Sequence, residues 1–223
     1  MVYKTSVETQ KRKDLKKKHI IDTAISVFAF NGYHKTTVKN VVDEADISVG
    51  TFYFYFKNKE ELFATLYDEV IDEFYETLCA SLSNINNEVD VGFSKAIAFF
   101  LKAIQCNKPI VKIMLIEAVG LNSEFEKKRA EVTKKFVNYS AGHFEEMKEK
   151  NMINVPDIKI SALAFIGTLY NVLMDWLQSE EERDITEYAY PITIFNLQAL
   201  GITYDDEKVK KSINEMLTNG KVP

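Results

Sequence analysis

Between Thr36 and Glu61 the chain carries small, hydroxyl-bearing and aromatic side chains in a pattern that suits recognition of a surface. The spacing from Thr37 through Ala45-Asp46-Ile47-Ser48-Val49-Gly50-Thr51 predicts two short helices joined by a tight turn, the helix-turn-helix arrangement whose second helix enters a DNA major groove. Phe52 and Phe56 are four residues apart and share a face, so with Ile47 they should enter the core. Val49, Gly50, Thr51, Phe54 and Tyr55 then point outward, with Tyr53 and Tyr55 along the flank. Gly50 and Thr51, near the start of the helix, permit close approach. The competing reading is a buried aromatic helix of an ordinary bundle. The short paired helices, the turn chemistry and the neighbouring lysines all favour duplex DNA.

Several helices must hold this segment. A first helix is predicted from about Lys11 to Phe30, with Ile21, Ala24, Ile25 and Phe28 on one buried stripe. Asn31-Gly32 closes it, because glycine accepts the left-handed conformation at a helix C-terminus. Thr36 or Thr37 caps a second helix to about Ala45, which turns Val38, Val41 and Val42 inward. Ser48 caps the third, and Asn58 followed by Glu61 opens a fourth through roughly Leu82. Beyond a polar break at residues 83–87, further helices are expected near 91–106, 109–119, 123–150, 157–179, 186–200 and 205–218. Pro109, Pro156 and Pro191 mark helix starts or kinks. The expected fold is all-α, with a flexible basic arm over 1–10, a head over 11–60 with its helix-turn-helix at about 37–56, and a helical body over 61–223.

Charge is divided in the same way. The chain carries a net −5, but residues 1–60 hold 11 Lys/Arg against 7 Asp/Glu while the remainder holds 17 against 26. A basic head on an acidic body fits a DNA-binding module. Lys11, Arg12, Lys13, Lys16, Lys17 and Lys18 lead into the first helix, either as a phosphate-attracting run or as a solvated face. With 46% hydrophobic and 12% aromatic residues the chain can bury a large core. Cys79 and Cys106 are 27 residues apart with no CxxC pairing, which fits free thiols in a reducing cytoplasm. No secretion signal is visible, and apolar runs such as Ala162 to Met174 are too short to span a bilayer, so no membrane partner is expected.

The run from Ile20 to Val70 resembles the N-terminal domain of the tetracycline-repressor (TetR) family of bacterial transcription regulators. The likeness rests on Ala24, Phe28, Asn31-Gly32-Tyr33, Thr36-Thr37-Val38, Ala45, Ile47 to Tyr53, and Tyr55 to Leu62. It implies a three-helix DNA-binding head joined by a linking helix to a larger ligand-binding and dimerisation domain. It implies that Thr37 and Lys39 approach the backbone and the groove edge, with Thr36 a contact or a cap. Ser48, Val49, Gly50 and Thr51 would begin the recognition helix, where Val49 or the Thr51 methyl could touch thymine methyls. Tyr53 and Tyr55 would donate to phosphates, Phe54 would face bases, and Lys59 would meet a phosphate at the next helix start. No Arg, Asn or Gln lies on this helix, so Lys39, methyl contacts and DNA shape would carry specificity.

The same resemblance implies a homodimer on a palindromic operator, paired through helices 157–179 and 186–200; Trp176 is read as a packing or interface anchor and not a ligand contact. It also implies a cavity for a small hydrophobic effector that releases the repressor from DNA. Phe99, Phe100, Met114, Phe136, Tyr139, Phe165 and Tyr170 are the candidate lining, though such stripes are more often core. Catalysis is disfavoured. His19, His34 and His143 have no zinc-type spacing, His143 and Glu146 form only a lone pair on one helix face, and no phosphate-cradling loop or nucleophile elbow occurs. No cofactor or metal is expected. An activator of the same family and a helical interaction module remain the alternatives.

Overall fold

The computed structural model describes residues 7–82, 88–181 and 183–220, and among them every regular element is a helix. The order is α1 (Val7–Asn31), α2 (Val38–Glu44), α3 (Val49–Tyr55), α4 (Lys59–Leu82), α5 (Val89–Cys106), α6 (Lys108–Lys112) running into a wide turn (Ile113–Glu117), α7 (Ser123–Glu149), α8 (Ile158–Gln178), a 3-10 turn (Ile185–Tyr188), α9 (Ala189–Ala199) and α10 (Asp206–Asn219). Of the arm expected over 1–10, residues 1–6 lie outside the described residues and 7–10 are already helical. The expected seam at 83–87 also lies outside them.

The described residues gather into two compact units. The first holds residues 7–71 together with Pro109–Leu121, and the second holds the other described residues. The grouping departs from the expected boundary at residue 60. It continues through the first half of α4 and recruits a segment that lies far along the chain.

The first unit closes around an aromatic cluster. Phe28 of α1 lies 5.6 Å from the Tyr33 ring and 5.5 Å from Phe63 of α4, and Tyr33 lies 4.6 Å from Phe63. Ile20, Ile21, Ala24, Val41, Val42, Phe52 and Phe56 complete the core, and each large apolar side chain there contributes about 1.5–3 kcal/mol. Ile25 is only half-buried, because Val27 takes the inward position expected for it.

In the second unit α5 packs against α9 and α10, and α7 lies along α8. Phe165 of α8 is clamped between Phe93 of α5 (5.5 Å) and Phe144 of α7 (5.7 Å). Trp176 is fully buried. Its indole N–H donates to the Arg183 carbonyl at 2.6 Å, and the Lys108 ammonium stands 4.4 Å from its ring centroid. Helix α8 spans 21 residues and is the one described helix long and apolar enough to cross a membrane. It is longer than the apolar run from Ala162 to Met174 expected from the sequence. Its inward stripe packs on α7 and α9, which accounts for that apolarity on one face only.

Candidate nucleic-acid interface

The turn before the recognition helix is built from capping chemistry. Thr37 caps α2: its hydroxyl accepts the Asn40 N–H at 3.2 Å and donates to the Asn40 side-chain oxygen at 2.6 Å. Ala45 ends α2, and Asp46 takes a left-handed conformation (φ 48°), which Asp tolerates better than most residues. Ser48 then caps α3, its Oγ accepting the Thr51 N–H at 3.0 Å and lying 2.8 Å from the Thr51 hydroxyl. His19 of α1 reaches the Ala45 carbonyl at 3.0 Å and ties the end of α2 to α1.

This frame sorts the two faces of α3. Phe52 is fully buried and Phe56 nearly so, whereas Val49, Gly50, Tyr53 and Phe54 are exposed, Phe54 by 64%. Thr51 and Tyr55 are half-buried at the edges. Thr37, Lys39 and Ser48 are exposed on the same unit. Helix α1 adds cations to this surface, with Lys13 Nζ 5.4 Å from the Phe54 ring and Lys17 Nζ 5.8 Å from the Phe56 ring. The result is an uncharged, aromatic-edged ridge flanked by lysines, suited to base-edge contact at the centre and phosphate contact at the sides.

Two expected contacts need correction. Thr36 is only 1% exposed and its hydroxyl donates to the Gly32 carbonyl at 2.7 Å, so it locks the α1–α2 turn instead of facing a groove. Lys59 donates to the carbonyls of Tyr33 and Thr36, each at 2.9 Å. An ammonium has three protons, so this internal role leaves one for a phosphate.

Tyr33 was missed as a functional residue, although both its backbone N–H and its carbonyl are held by distant side chains. Its N–H donates to Glu117 Oε2 at 2.7 Å, its carbonyl accepts from Lys59, and its phenol lies within the influence of the Glu60 carboxylate. Burial, and then the Glu60 carboxylate, push the phenol up to about 12. The Asn31-Gly32-Tyr33 turn was visible in the sequence, but nothing local announces a partner 84 residues away.

The effector-lining candidates do not form one set. Met114 is buried with the first unit. Phe165 is core, as its clamp shows. Tyr170 is 41% exposed beside Ile160 and Leu163 on the outer stripe of α8, and so does not face an interior cavity. Phe99 and Phe100 are half-buried on α5. Phe136 and Tyr139 are half-buried, pack on Ala96, and lie 5.7 and 5.4 Å from the Tyr75 ring. A polar group surrounds them: the Tyr139 hydroxyl donates to the Cys79 carbonyl at 3.1 Å, His143 Nε2 lies 2.9 Å from that hydroxyl, and Lys135 stands 4.0 Å over Tyr75. Burial and contact with Cys79 raise the Tyr139 hydroxyl pKa. His143 therefore pairs with Tyr139 instead of the Glu146 noted in the sequence. No cluster of His, Cys, Asp or Glu suited to a metal occurs among the described residues.

An all-helical chain with a capped helix-turn-helix, an exposed uncharged recognition ridge and flanking cations is a DNA-binding transcription regulator. Residues 20–66 match the family described as bacterial regulatory proteins, tetR family. The head of the chain therefore carries a tetR-family domain.

It is similar to the fatty acid metabolism regulator protein of Bacillus subtilis (strain 168), with 28% identity over 179 residues covering 78% of this chain and 90% of that protein. Among solved structures it resembles the fatty acid degradation regulator FadR from Bacillus halodurans, with a TM-score of 0.73 and 26% identity over 84% of this chain and 97% of that one. The fold is shared with FadR from Bacillus subtilis, solved in complex with stearoyl-CoA, at a TM-score of 0.72 and 22% identity over 82% of this chain and 98% of that one.

Proposed function

We propose that this protein is a homodimeric repressor that a long-chain fatty acyl-CoA thioester releases from a palindromic operator. The observation that carries DNA recognition is the division of α3, with Phe52 and Phe56 buried while Val49, Gly50, Tyr53 and Phe54 stand exposed. Thr37, Lys39, Ser48, Val49, Gly50, Thr51, Tyr53, Phe54 and Tyr55 are the contact set, with Lys59 supplying one proton beside its internal bonds.

Pairing is supported by the outer stripe of α8. Ile160, Leu163, Ala164, Gly167, Tyr170 and Asn171 recur at three- and four-residue steps and face outward or edge-on, and Phe195 of α9 is 57% exposed. A Cβ built on Gly167 meets nothing within 4 Å, which leaves room for a second helix to approach closely. The occupant is a second copy of the same helices, because one recognition helix reads only one half-site.

The acyl-CoA class is supported by the curated relative, a fatty acid metabolism regulator, and by the stearoyl-CoA held by a protein of the same fold. In this chain the half-buried aromatics Phe136, Tyr139, Phe99 and Phe100 offer apolar contact, with the Tyr139–His143–Lys135 group supplying polar partners. The test is footprinting of genomic duplex upstream of the gene, repeated with stearoyl-CoA and with free CoA. Protection of a two-fold-symmetric site that stearoyl-CoA abolishes and CoA does not is the expected result. Protection unmoved by any acyl-CoA would remove the effector assignment and leave the DNA reading standing.

A further inference from the structure

The turn between α1 and α2 is held by a residue far outside it. Gly32 has φ 79°, and the N–H of the next residue, Tyr33, donates to Glu117 Oε2 at 2.7 Å. A Cβ built on Gly32 would stand 2.8 Å from that same oxygen. The Glu117 carboxylate thus occupies space that only glycine leaves free. Glu117 ends the wide turn Ile113–Glu117, in which the Ala118 N–H reaches back five residues to the Ile113 carbonyl at 2.9 Å. Turns of this width are uncommon and concentrate at functional sites. Ile113, Met114 and Ala118 are buried in the first unit, which fixes the carboxylate's position. On the opposite side of Tyr33, Lys59 binds the carbonyl and also that of Thr36, the residue just before the cap of α2. The turn lies between an anion and a cation, and the segment carrying the anion is entered from α5 and left through α7.

From this arrangement we infer that Glu117 is a positioning residue for DNA binding: its carboxylate sets the turn that orients the helix-turn-helix on α1. The inference rests on the DNA-binding reading above. Without the carboxylate, the buried Tyr33 N–H loses its acceptor, and an unsatisfied buried donor drives the turn to rearrange. Rearrangement there moves α2 and the recognition helix packed on it.

The experiment selects a duplex from a random-sequence library with the unaltered protein. Affinity for that duplex is then compared among the unaltered protein, Glu117→Ala and Glu117→Gln at fixed salt, alongside amide exchange at Tyr33 without DNA. Glu117→Ala should bind about tenfold more weakly and exchange the Tyr33 amide about tenfold faster or more. Glu117→Gln keeps an acceptor oxygen and should remain within about threefold in both readouts. Equal affinity of Glu117→Ala and the unaltered protein, equal Tyr33 exchange in the two, or a glutamine variant no better than alanine would each overturn the inference. A failure of the DNA-binding reading looks different: the unaltered protein then selects no duplex at all, and the inference falls with it.

Discussion

The Lys59 ammonium stands 4.2 Å from the centre of the Tyr33 ring while donating at 2.9 Å to the carbonyl of that same residue. One side chain of α4 therefore fixes both the ring and the peptide of the turn that launches α2. Its effect on DNA binding should be largely indirect. Lys59→Met should cost about 2 kcal/mol of stability, since charged hydrogen bonds contribute about 1.5–3 kcal/mol. Urea unfolding should show this loss, together with a drop in duplex affinity of similar size for every sequence tried. Lost affinity with stability unchanged would make Lys59 a phosphate contact alone.

Phe52 and Phe54 are two residues apart on α3 and should behave oppositely. Phe52 is fully buried, so Phe52→Ala should cost about 3–5 kcal/mol and unfold the head. Phe54→Ala should change stability by about 0.5 kcal/mol or less, as for an exposed position, while weakening binding to the selected duplex. Thermal unfolding and anisotropy titrations on the same two variants decide this.

The outer stripe of α8 makes a prediction about assembly. Gly167→Arg starts a long cation from a Cβ position that meets no neighbouring atom within 4 Å on the outer stripe of α8, so the chain should fold normally. Sedimentation should show a monomer, with operator affinity lower by about a hundredfold or more through loss of the second head. A dimeric Gly167→Arg protein would move the pairing surface elsewhere.

Tyr33 should be visible in the alkaline limb of stability. Its folded-state pKa is raised from 10.0 to about 12, by burial first and Glu60 second, so the neutral phenol is favoured in the fold. That contribution is fully present below pH 10 and is lost as pH rises toward about 12. Tyr33→Phe should flatten the fall in stability across that window relative to the unaltered protein, followed by urea midpoints at stepped pH.

Where sequence and structure agree, local rules were sufficient. Helix boundaries fell within a few residues because Thr37, Ser48, Asn122, Asp157 and Asp205 each cap the helix that follows, and Gly32 ends α1 in the left-handed region. The two faces of α3 followed from the four-residue step between Phe52 and Phe56. What the sequence did not reveal was long-range. Glu117 lies 84 residues from Tyr33 and reaches it only because a wide turn folds with the head, and no periodicity encodes that. Thr36 and Thr37 are equivalent as residue types, and only the turn geometry buries one and exposes the other. Tyr170 and Phe165 share α8, but its apolar residues surround the helix, so hydrophobicity alone could not divide inside from outside.

Trp176 is the sole tryptophan of the chain, sealed from solvent beneath the Lys108 ammonium and tethered to the Arg183 carbonyl. Its fluorescence comes from one environment, blue-shifted by a dry setting and sensitive to a charge at van der Waals range. Any event that lifts Lys108 or wets the indole would change the colour or brightness of the whole molecule. The body thus carries its own optical gauge, readable in solution without dye or label.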